Sequence, residues 1–144
     1  MKKTLLFLII TIGYLNAAAA MPPDAFIGTW EGKRIEEQKG FRQKVFLTVR
    51  QSNGQISGTC EIRARIHDPH GKWVALPGES FGGPMLSPKV EGQVLNFELE
   101  IKLHNGETKR ANYTMTLEAK DRALLDRPGD AFGTLAASMV RTRR

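Results

Sequence analysis

The amino-acid sequence predicts an all-β fold, a single antiparallel up-and-down barrel of about eight strands. Three observations carry that reading. Hydrophobic residues recur at every second position through most of the chain after residue 20. Asn-Gly pairs, Asn53-Gly54 and Asn105-Gly106, stand between successive alternating runs, and Asn-Gly supplies the positive φ values of a tight hairpin turn. No long segment of that region carries an apolar stripe at helical spacing.

The elements follow in chain order. A first strand runs from Phe26 to Ile35. In the second, Val45, Leu47 and Val49 alternate with Lys44, Thr48 and Arg50, and Phe46 points outward. The third is the cleanest: Ile56, Gly58, Cys60, Ile62, Ala64 and Ile66 share one face of Gln55–Ile66, and Glu61, Arg63 and Arg65 lie on the other. Residues 67–88 break the pattern with Pro69, Pro77, Pro84 and Pro88 and with Gly71, Gly78, Gly82 and Gly83. Proline removes a ladder donor, so this stretch reads as loops with short edge strands. Its apolar residues, Trp73, Phe81 and Met85 among them, make it a candidate lid or rim.

Downstream, Leu95, Phe97, Leu99, Ile101 and Leu103 alternate with Asn96, Glu98, Glu100 and Lys102. The return strand puts Tyr113, Met115, Leu117 and Ala119 on one face. Lys120-Asp121-Arg122 marks a reversal into Ala123–Leu125. The last strand runs from Phe132 to Arg143, with Leu135, Ala137, Met139, Arg141 and Arg143 in one frame. A long meander leaves two exposed edges unless it closes. A barrel removes them, and a sandwich of two sheets is the rival architecture.

Residues 1–20 have the form of a Sec-type signal peptide: Lys2 and Lys3, an apolar run from Thr4 to Leu15, then Ala18-Ala19-Ala20. Cleavage after Ala20 would leave one domain, residues 21–144, secreted or periplasmic and without a transmembrane anchor. The chain has a formal net charge of +6. Arg141, Arg143 and Arg144 make a basic tail, and the other charges are interspersed in sign. Nucleic-acid binding would ask for a basic face with interleaved aromatics, so no nucleic-acid partner is expected. Cys60 is the single cysteine, which excludes an internal disulfide and leaves stability to the apolar core. It falls on the inward face and is expected to be buried.

Asp24-Ala25-Phe26-Ile27-Gly28-Thr29-Trp30 resembles the opening of calycin-superfamily chains, the lipocalins and fatty-acid-binding proteins. Together with the Asn-Gly hairpin and Ile56-Ser57-Gly58-Thr59, it is also similar to small secreted bacterial lipocalin-like domains. The resemblance implies a lipocalin-like barrel closed at one end by Trp30, with a last-strand arginine, Arg141 or Arg143, packed over the indole. It implies also that an inward Arg141 can meet a ligand carboxylate. The helical lid of fatty-acid-binding proteins has no counterpart here.

Other constellations fall short of chemistry. Gly78-Glu79-Ser80-Phe81-Gly82 has the spacing of a nucleophile elbow, but that device needs a strand running into a helix. His67, Asp68, His70 and His104 are too few and too scattered for a metal centre. Glu98 and Glu100 read as outward strand residues. No catalytic residue, metal or cofactor is expected.

The leading expectation is non-enzymatic binding of a small hydrophobic or amphipathic ligand of the fatty-acid or lipid class. Burial of its tail would drive binding at roughly 25 cal/mol per Å². Arg141, Tyr113, Met115, Phe97, Ile101, Trp73 and Phe81 are the candidate ligand-binding residues, and Trp30 and Arg143 the candidate closure residues. The alternative is a filled barrel acting as a protein-interaction module, such as an inhibitor of an extracellular enzyme, through the 67–88 loop.

Overall fold

The computed structural model describes residues 23–36, 39–76, 81–103, 105–129 and 134–143. The leader, Ser80, His104 and Phe132 lie outside the described residues. A 3-10 turn, Pro23–Phe26, precedes ten strands: β1 (Gly28–Arg34), β2 (Phe41–Ser52), β3 (Gln55–His67), β4 (Trp73–Ala75), β5 (Phe81–Pro84), β6 (Leu86–Glu91), β7 (Val94–Lys102), β8 (Thr108–Ala119), β9 (Arg122–Arg127) and β10 (Leu135–Arg143). The fold is all-β and antiparallel. The short edge strands expected of the proline- and glycine-rich middle are β4, β5 and β6, and with the seven strands outside that stretch they bring the count to ten rather than eight.

The strands form one sheet in the order β4-β3-β2-β1-β10-β9-β8-β7-β6, with β5 also on β3. The first and last long strands pair, β1 with β10, in the middle of the sheet. This hydrogen-bonded path is open, and the ring of eight strands expected from the sequence is not formed. Phe81–Glu91 nevertheless links β3 to β7, near opposite ends of that path. Phe81–Pro84 pairs with Thr59–Ile62 of β3, and the Met85 N–H donates to the Gly58 carbonyl at 2.8 Å. Ser87 then takes a left-handed φ of 48°, the register shifts between Leu86 and Lys89, and the chain pairs with β7. The proline-rich stretch is thus a strap woven into the sheet.

Local chemistry explains the turns. Asn53 and Gly54 have φ of 52° and 75°, the two left-handed residues that a two-residue hairpin requires. Asn105-Gly106 serves differently. The Leu103 N–H donates to the Glu107 carbonyl at 2.7 Å, and the Asn105 side chain accepts from the Glu107 N–H at 3.0 Å. That is a longer loop held by an Asx contact. Asp68 does the same for the β3–β4 connection, its Oδ1 accepting from the N–H groups of His70 and Lys72 at 2.9 and 2.8 Å.

One face of the sheet forms the core. Trp30, Leu47, Cys60, Leu95, Met115, Leu125 and Met139 are fully buried. Small inward residues make room for large ones. A Cβ at Gly32 would collide with the Met139 sulfur, and one at Gly58 would lie 3.1 Å from the Met85 sulfur. Interiors are close-packed, and here the glycines accommodate methionines. Burial pushes the Cys60 thiol from its ordinary 9.0 up to about 12, with Glu61 adding to the rise.

Candidate functional site

Two arginines enter the interior side of the sheet from opposite ends. Arg141 sits opposite Trp30 in the β1–β10 register. Its guanidinium carbon lies 4.3 Å from the indole centroid, a favourable cation–π geometry. Its N–H groups donate to the carbonyls of Ala25 and Ile27, and to Lys120 O at 2.9 Å. Nε pairs with Asp121 at 3.0 Å. The Trp30 indole N–H donates to Phe26 O at 2.9 Å. One arginine therefore ties together the 3-10 turn, the start of β1 and the β8–β9 turn. Arg143 is exposed and paired in register with Thr29. A bulge between Thr29 and Trp30 sets this offset.

Arg127 ends β9 at the other end, directly opposite Leu135. It continues the inward frame of Ala123 and Leu125 and is 5% exposed. Its guanidinium donates to the Tyr113 hydroxyl at 3.1 Å and lies 5.7 and 5.9 Å from the Tyr113 and Phe81 ring centroids. Tyr113 stacks on Phe97 across β7 and β8, centroids 5.4 Å apart and planes within 9°. Gln43, also buried, accepts from Arg34 at 3.2 Å. A cleft of about 190 Å³ runs along this end of β1 and β2, lined by Arg34, Phe41 and Gln43 among others. Apart from that cleft, the Arg127 guanidinium and the Tyr113 hydroxyl form a buried polar pair beside the Phe97 and Phe81 rings.

The sequence-expected ligand residues divide between these places. Tyr113, Phe97 and Phe81 surround Arg127. Met115 and Ile101 are buried in the same core. Arg141 is at the opposite end, its donors directed at main-chain carbonyls and Asp121. Trp73 lies on the outer side of the sheet, 4.1 Å from the Arg42 guanidinium and 3.9 Å from the His67 ring. β4 pairs Trp73 with outward His67, which fixes that direction. Met85 is buried and Phe81 half-buried against the core, so two of the three anchors of the interaction-loop reading face inward.

Sequence reasoning missed Arg127 and Gln43. Ending the ninth strand at Leu125 cut off the next inward position. Extending the same frame by one more pair would have placed Arg127 inside. Among the described residues, no group of three or more metal-ligating side chains converges. Nor is any helix long and apolar enough to cross a membrane. No family model matches the chain, and no curated protein matches it.

Proposed function

We propose that the protein is a non-enzymatic, lipocalin-like carrier of a small amphipathic anion, held at the Arg127–Tyr113 end. The observation that carries this reading is a guanidinium buried to 5% exposure among aromatic rings and a phenol hydroxyl. A ligand carboxylate placed beside the Tyr113 hydroxyl would accept a charge-assisted hydrogen bond from this guanidinium. Phe81, Phe97 and Tyr113 supply apolar surface for the adjoining carbon chain. The methionine-filled glycine positions at the Trp30 end limit tail length, so short and medium chains are favoured over long ones. The strap from Phe81 to Glu91, paired with β3 and then β7, would cover the ligand on one side.

Titration calorimetry with a series of straight-chain carboxylates tests this. The expected result is saturable one-site binding that strengthens with chain length and then falls off. Arg127→Met should weaken it by about tenfold or more, the loss of one charge-assisted pair. Binding unchanged in Arg127→Met, or no saturable binding by any member, overturns the reading.

A further inference from the structure

The outer wall of the sheet is electrostatically divided. On β1, β2 and β3 the outward positions hold Lys33, Arg42, Lys44, Arg50, Arg63 and Arg65 against Glu31 and Glu61 alone. On β6 to β9 the outward charges are mixed, with Lys89–Glu91 and Arg110–Glu98 ion pairs at 2.7 and 3.4 Å. The registers sharpen the contrast. Arg42 stands directly opposite Arg65, and Lys44 directly opposite both Arg63 and Lys33. Like charges opposed across strands destabilise a sheet. Among the described residues, Arg63 alone of this set has a carboxylate partner, Glu61 at 2.7 Å. Among the described residues Arg42, Lys44 and Arg65 form no ion pair.

The same wall carries the apolar surface. The two exposed large hydrophobics among the described residues, Ile35 and Val140, flank it at 56% and 51% exposure. Trp73 and Phe46 lie within it, with the Arg42 and Arg63 guanidiniums stacked 4.1 and 4.6 Å from their ring centroids. Cations are spaced about 5 Å across strands and about 7 Å along them. That is a two-dimensional array on an open face, which fits a plane of headgroups better than a single threaded chain.

We propose that the outer face of β1–β4 docks on an anionic phospholipid surface. Lys33, Lys44, Arg65 and Arg42 meet the phosphates, and Ile35, Val140 and Trp73 enter the headgroup boundary. The proposal is independent of the interior site.

The test is co-sedimentation with vesicles of phosphatidylcholine alone and with about 30% phosphatidylglycerol, a surface carrying the negative potential that attracts basic patches. The wild type should bind the anionic vesicles at about 0.1 M salt and release them at about 1 M, where the screening length falls to roughly 3 Å. Lys44→Glu/Arg65→Glu should lose roughly thirtyfold in partition, at about fivefold per cation. Its melting temperature should hold or rise, because each new carboxylate faces an arginine. Lys102→Glu, on the other wall, should bind as the wild type does. Three outcomes overturn the proposal: equal binding to neutral vesicles, undiminished binding by the double variant, or a double variant with a lowered melting temperature. A single-stranded oligonucleotide that displaces the protein from vesicles at matched phosphate also overturns it, assigning the face to nucleic acid.

Discussion

Arg141 and Arg127 are both inward arginines against aromatic rings, yet their surroundings differ in kind. Arg141 donates to main-chain carbonyls of two separate segments and pairs with Asp121. Those acceptors are part of the fold and cannot leave. Arg127 donates to a side-chain hydroxyl within an aromatic layer. The difference teaches how a buried cation is to be read. Where the backbone satisfies it, it is a clamp. Where a side-chain hydroxyl and aromatic rings surround it, we propose that it also serves recognition.

The largest expected effect belongs to the clamp. Arg141→Met leaves three main-chain carbonyls and half-exposed Asp121 without their partner and should cost about 3 kcal/mol, as lost hydrogen bonds from a charged group do. Urea unfolding measures it, and a loss below 1 kcal/mol would merge the two arginines into one class. Next is the filled half of the interior. Gly58→Val forces a side chain against Thr48 O and the Met85 sulfur and should cost about 1–3 kcal/mol by overpacking. A neutral result would mean open space beside the strap and a longer ligand.

Arg127→Met loses the hydrogen bond to Tyr113 among its other contacts and should cost about 2 kcal/mol, less than Arg141→Met, while weakening carboxylate binding about tenfold or more. A fall as large as that of Arg141→Met would make Arg127 a second clamp.

Near neutral pH the smallest effect is at Cys60. The unfolded thiol ionises near 9.0, whereas the folded thiol resists until about 12. Its contribution to stability is therefore complete below pH 9.0 and is lost as pH rises toward 12. Cys60→Ala should flatten that part of the stability–pH curve relative to wild type. The native thiol should also escape labelling until the protein unfolds; rapid labelling of the native state would contradict its burial.

Much of the fold was legible in the sequence. Strict alternation in β3 and β7 placed Cys60, Ile62, Leu95 and Phe97 inward, and Asn53-Gly54 marked the tightest hairpin. These are local signals, readable because the period of a strand is set by its own backbone. The strap was not legible. Its pairing with β3 and then β7 depends on distant partners, and prolines and glycines hide its alternation. The Arg141–Trp30 stack could be anticipated from position and resemblance, but choosing Arg141 over Arg143 needed the register across the Thr29 bulge. The cationic wall was missed because charges look balanced along the chain. Only the cross-strand register brings Lys33, Lys44 and Arg63 into one row.

The central claim is that Arg127 recognises a ligand and Arg141 does not. Nuclear magnetic resonance of arginine Nε–H groups during addition of a medium-chain carboxylate addresses it directly. The account predicts a saturable shift of the Arg127 resonance with the Arg141 resonance fixed. Movement of Arg141 alone, or of neither, would contradict it.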